Sequence, residues 1–263
     1  MFRSHKLFSV SGLLLWTIFV SGPAMAPAHS IPSDVDSPRS PVIVIGFVGG
    51  FVRRNNYVHS EVQLAARLRQ EYSSGVYVEI FENHRGQSAY EKILRLLDTD
   101  DAGKLTPEQK QDARIILYGH SWGASEAVSV ARKLESDGIP VLLTVQIDSV
   151  AKLGEDDGII PSNVAQAANF YQPDGRPHGR AEIRAADPSR TRIIGNFRFD
   201  YKAHPVTCYG DYSWWDRDIS KFHTEIECDP QVWNHVESLI RADLPPPDHS
   251  SVRLSGKAQR VTS

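Results

Sequence analysis

Ser121 stands between Gly119 and Gly123 in ILYGHSWGAS, residues 116–125. The spacing is G-x-S-x-G, with an apolar run before it and small residues after it. A serine hydroxyl becomes a useful nucleophile only when a histidine removes its proton and a carboxylate orients that histidine. A strand turning sharply into a helix would project such a hydroxyl from a sheet edge, with glycines where neighbouring side chains would otherwise collide. The residues to look for are therefore a histidine and an acid.

Five histidines follow the serine. His249 falls in a polar tail, His235 inside the final helical pattern, and His178 and His204 in a stretch of weak periodicity. His223, in KFHTEIECDP, is expected in a loop just ahead of the last helix, and His178 and His204 remain possible beside it. Two acids compete. Asp148 ends the apolar run PVLLTVQID, so its carboxylate would emerge at the same edge of a parallel sheet as Ser121. Asp174, in YQPDG, follows a less certain fifth strand. Asp148 is preferred because the strand before it is better defined.

Positioning these groups requires a regular scaffold, and the chain reads as one. PVIVIGF (41–47), VYVEIF (76–81), RIILYG (114–119) and PVLLTVQID (140–148) are short apolar runs of the kind buried on both sheet faces. Helical patterns separate them. Ser60 and Gln63 have capping-box spacing ahead of Leu64, Ala65, Leu68 and Tyr72, and a second helix is expected around 89–97. A third begins at Trp122, with Ala124, Ala127, Val128, Ala131 and Leu134 on one face and Gly138 as its stop. Alternation of this kind predicts an α/β fold with a mostly parallel central sheet and helices on both faces. Beyond Asp148 the pattern loosens: NVAQAANFYQ reads as a helix running into a strand, and residues 181–199 as a hairpin. Asp229 and Pro230 then open a final helix with Val232, Val236, Leu239 and Ile240 on its apolar face.

With 263 residues, 41% of them hydrophobic, and a net charge of −3, the chain has enough apolar material for one domain, expected over 41–241, and no basic field for nucleic acid. Residues 1–28 have a signal-peptide layout: Arg3 and Lys6, then an apolar stretch from Leu7 to Val20, then small residues. Cleavage after Ala28 is preferred to Ala26, which would leave Pro27 first; the product would be exported and keep no stable membrane span. Residues 29–40 read as a linker and 242–263 as a disordered tail. In an exported chain, Cys208 and Cys228 are expected to form one disulfide, tethering a loop that holds Tyr209, Tyr212, Trp214 and Trp215. Asp98, Asp100 and Gly103 imitate a calcium loop that lacks its later ligands, so Thr106, Pro107 and Gln109 are read as a helix start. No transition-metal spacing stands out, and His59 with the Arg53–Asn56 run reads as a solvated polar loop.

At Gly119-His120-Ser121-Trp122-Gly123 the chain resembles the α/β-hydrolase superfamily, in particular small exported lipase- or esterase-like members. The resemblance covers most of residues 41–241 and is most specific at GHSWG. It implies the chain order serine, acid, histidine, a base presented just before the last helix, which favours His223, a sheet of eight strands or a trimmed version, and no cofactor. It also implies oxyanion donors at the amide of Trp122 and in the loop after the first strand, at Phe47 or next Val48. The family usually has His-Gly there, where this chain has Ile45-Gly46. The implied substrate is a small-molecule ester or lipid cleaved through an acyl-enzyme. Amidase, peptidase or acyltransferase chemistry, or a non-catalytic binding role, stays open on the same fold.

Overall fold

The computed structural model describes residues 41–247. The expected signal segment, the linker and the tail from residue 248, with His249, lie outside them. Strand β1 (Val42–Val48) is buried at every position. Its successive side chains point to opposite faces. Val42 and Val44 therefore join one apolar cluster, and Ile43, Ile45 and Phe47 join the other. With no solvated face, the strand has no reason to alternate with polar residues.

The chain continues through α1 (Ser60–Glu71), β2 (Val76–Glu82), α2 (Gly86–Leu97), a short α3 (Pro107–Gln111), β3 (Arg114–His120), α4 (Trp122–Ser136) and β4 (Val141–Ile147). It ends with β5 (Ile159–Ile160), β6 (Val164–Tyr171), β7 (Arg184–Ala185), β8 (Arg192–Arg198), α5 (Lys221–Cys228) and α6 (Pro230–Ala242). Six strands form one sheet in the order β2-β1-β3-β4-β6-β8, with every pairing parallel. Leu64 and Leu68 of α1 and Trp233, Val236 and Ile240 of α6 cover one face. Ile93 and Leu97 of α2 and Ala127, Val128 and Leu134 of α4 cover the other. This is the α/β class expected, with the central sheet trimmed to six strands.

Local signals hold in several places. Thr106 and Gln109 make a reciprocal capping box around Pro107, while Asp98 accepts the amides of Ala102 (3.0 Å) and Gly103 (2.8 Å) in the turn before it. Gly138, at φ 71°, ends α4, and Asp229 caps α6 through Gln231 N at 2.8 Å.

Other expectations change. Ser60 does not cap α1; His59 takes that position, and the Ser60 amide donates to Glu227 Oε1 at 2.7 Å, a partner far along the chain. Residues 164–171 form strand throughout, because Val164, Ala167, Ala168 and Phe170 are buried between β4 and β8. The expected hairpin is absent: β7 pairs with β5 in a small parallel sheet, and β8 crosses over to fill the open edge of β6. α6 reaches Ala242, and Leu244 packs against the core, so these two residues belong with the helix and core rather than with the tail expected from 242.

Cys208 and Cys228 are bonded, with sulfurs 2.01 Å apart and a separation of 20 positions in sequence. Closing a loop of that length restricts the unfolded chain by about 3 kcal/mol. The Cys208→Ser/Cys228→Ser double variant is expected to lose about that much unfolding free energy in urea titration.

Candidate active site

Ser121 occupies the turn between β3 and α4 at φ 56°, ψ −125°, a conformation that costs a non-glycine residue about 1–3 kcal/mol. The flanking glycines have a steric reason. A Cβ on Gly119 would lie 2.5 Å from the Gly123 carbonyl carbon, and one on Gly123 would lie 2.4 Å from the Phe47 carbonyl oxygen. The start of α4 thus sits directly against the end of β1. Ser121 is the N-cap of α4, yet its side chain makes no capping bond, so the hydroxyl is not committed to the helix. Trp122 opens the helix, and its amide has no acceptor within it.

The loop after β1 borders the serine. Phe47 and Val48 end that strand, Phe47 in register with Phe81 of β2 and Gly119 of β3. A Cβ on Gly49 would come within 3.1 Å of His120 Nδ1 and 3.6 Å of Ser121 Cβ. Gly49 is fixed from both ends: its amide donates to Glu61 Oε1 at 3.3 Å, and its carbonyl accepts from Asn83 Nδ2 at 2.6 Å. Phe51, exposed to solvent, lays its ring 5.5 Å from that of Trp122.

Asp148 follows β4 directly, at φ 44° and with no solvent exposure. Its amide donates to Phe170 O at 2.7 Å. Oδ1 accepts the amides of Gly179 (2.7 Å) and Gln172 (3.2 Å), and Oδ2 accepts Gln172 Nε2 at 3.0 Å. His223 Nδ1 lies 2.6 Å from the same Oδ2, and both side chains are buried. A carboxylate can only accept, so Nδ1 carries the proton and Nε2 holds the lone pair of the neutral ring. The imidazole also lies against that of His120, the neighbour of Ser121, with centroids 4.4 Å apart and the planes tilted by 34°.

Of the other downstream histidines that are described, His178 Nδ1 is 3.2 Å from Gly179 O, His204 is exposed, and His235 packs edge-on to Phe170 and Phe197. Asp174 is occupied elsewhere, accepting the amides of Tyr201 (2.7 Å) and Lys202 (3.2 Å). The contact with His223 thus falls to Asp148. His223 sits in α5 rather than in a loop, because Phe222 and Ile226 of that helix pack on the core beneath it.

Sequence reasoning missed three supports. Gln172 bridges Asp148 and the carbonyl of Pro177 (3.1 Å) and accepts the Asp174 amide (2.8 Å). Gly179 approaches so closely that a Cβ there would lie 2.5 Å from the Asp148 carbonyl carbon. His59, expected in solvent, is buried beside Glu227, with Nδ1 3.5 Å from Oε2. Of the loop aromatics, Tyr212 turns inward and donates to Glu227 Oε2 at 2.7 Å, while Tyr209 and Trp214 are exposed. A nearby glutamine and glycine following a strand are the only sequence signals that could have marked the Asp148 cradle.

No family model and no curated protein matches the chain. Among solved structures, it is similar to a thioesterase of the prodiginine pathway in Streptomyces coelicolor, at 12% identity and a TM-score of 0.37, over 84% of this chain and all of the other (100%). It is also similar to a thermostable esterase from Pseudomonas putida, at 12% identity and a TM-score of 0.40, over 80% and 77% of the two chains. The colibactin-pathway protein ClbQ aligns at 11% identity and a TM-score of 0.38, over 78% and 98%. Likeness at this level says nothing about the reaction, which has to follow from the geometry of the site itself.

Burial, together with the His223 and His59 rings, holds His120 well below the usual histidine range. Unfolded, His120 titrates near 6.5, so the unfolded chain binds the extra proton first. Its stability contribution is complete above 6.5 and declines as pH falls below it. Between about pH 7 and 5 the wild-type chain is therefore expected to lose more unfolding free energy than His120→Gln, measured by denaturant titration at each pH.

Proposed function

We propose that the protein is an exported serine hydrolase of carboxylic esters. Ser121 attacks the carbonyl, His223 Nε2 takes the hydroxyl proton and returns it to the leaving alcohol, and Asp148 fixes the imidazole. Water then releases the acyl group by the same steps in reverse roles. The amide of Trp122 would face the negative oxygen of the tetrahedral intermediate; Phe47, expected in a loop as the second donor with Val48 next, instead lies within β1 in register with strands on both sides, so its amide belongs to the sheet and the second donor would come from the loop after Val48. The observation that carries this reading is the His223–Asp148 contact of 2.6 Å between buried groups, beside a serine held in a strained turn.

The carboxylate has a definite task here. Its bond at Nδ1 selects the tautomer whose Nε2 can accept a proton, and its charge stabilises the imidazolium that forms. The rings of Phe51 and Trp122, next to Ser121, favour an apolar substituent on the substrate over a charged one. Export is part of the same proposal, supported by the Cys208–Cys228 bond, which persists in oxidising compartments.

Ser121→Ala is expected to abolish turnover of a short-chain chromogenic ester, a loss of roughly 10⁴-fold or more, with the unfolding midpoint retained. Retained turnover would sink the assignment. Asp148→Asn is expected to lower kcat about 10⁴-fold with little change in KM, by permitting the wrong tautomer. A fluorophosphonate probe should label wild-type Ser121 covalently; a chain that is neither labelled nor active would instead be a binding module, and amide or acyl-acceptor substrates in the same assay separate esterase from amidase and acyltransferase.

A further inference from the structure

We propose that His59, Glu61 and Glu227 form a binding site for one divalent transition ion, Zn²⁺ in the first instance, behind the loop that borders Ser121. This inference does not depend on the hydrolase reading. All three side chains are buried, and one nitrogen or oxygen from each lies within 4.8 Å of the others. A common ion at about 2.0–2.2 Å from each would draw them together by small side-chain movements.

The second observation is an orphaned oxygen. Glu61 has no solvent exposure, and its Oε1 accepts the Gly49 amide, but its enclosed Oε2 has no hydrogen-bond partner. A buried carboxylate oxygen left that way is costly. A dication would offset the negative charges of Glu61 and Glu227 and take the lone pair of the neutral form of His59.

The remaining bonds are those of oriented ligands. Glu227 Oε1 accepts the Ser60 amide (2.7 Å) and Oε2 accepts Tyr212 OH (2.7 Å), which fixes the carboxylate while each oxygen keeps a lone pair. One imidazole nitrogen and two carboxylate oxygens, with a water completing four, suit Zn²⁺; calcium would need six to eight oxygens. The sequence gives no spacing signal because Glu227 reaches His59 and Glu61 only through the fold.

The test uses the full chain, stripped with a chelator, dialysed against Zn²⁺ and passed through a desalting column. One equivalent of zinc by elemental analysis, with a raised Tm, is expected; no retained zinc in the wild-type chain overturns the proposal. His59→Gln and Glu61→Gln are each expected to lose the ion and the Tm rise, while Ser121→Ala keeps both. Full retention in the two site variants would place the ion elsewhere and also overturn it. Should those variants not fold, Co²⁺ loaded into the wild-type chain is read instead. Strong d–d bands of a four-coordinate ion are expected, and the weak spectrum of the six-coordinate aqueous ion counts against the site.

Discussion

Burying the carboxylate of Asp148 is the constraint around which the C-terminal half of the molecule is arranged. A carboxylate removed from water is tolerated only when nearly all its acceptor capacity is filled. Here it takes two amides, a carboxamide and an imidazole. Those donors come from two separate segments, so residues 172–179 must fold back over β4 and α5 must dock beside it. Gly179 is part of the same requirement, since its closeness to the Asp148 backbone leaves no room for a side chain.

The helix that delivers His223 is itself held by a second buried polar group. His223 and Glu227 are four residues apart on α5 and so lie on neighbouring turns of one face. Glu227 anchors that face to the start of α1 through the Ser60 amide, and to the disulfide-tethered loop through Tyr212. Glu61, on the same turn of α1, holds Gly49 beside Ser121. His223 and the loop bordering the serine are thus referred to one buried cluster.

What was legible in the sequence follows from where each element finds its partners. β1, β3 and β4 are flanked by strands and covered on both faces, so burial alone dictates continuous apolar runs that can be read directly. α4 shows its apolar face at helical spacing, and every residue named on that face is fully buried. The segment from 149 to 220 could not be read in this way. β5 and β7 are two residues long, β8 is a half-exposed edge, and α5 follows Ser220, whose side chain makes no capping bond. Gln172, Gly179, Glu61 and Glu227 were invisible for another reason: each matters through a contact distant in sequence, and a lone polar residue does not announce its partner.

The two strained residues of the site also explain each other. Ser121 and Asp148 both hold positive φ, at 56° and 44°, immediately after adjacent parallel strands. The Ser121 amide donates to Ile147 O at 2.9 Å, and the Val150 amide returns to Ser121 O at 3.3 Å. Each turn is therefore locked by the backbone of the other, in addition to the close glycine contacts on one side and the carboxylate cradle on the other. Strain of this kind persists only where the surroundings over-determine it. Relaxing either turn would release hydrogen bonds in both, which couples the placement of the serine hydroxyl to that of the carboxylate without any direct contact between them.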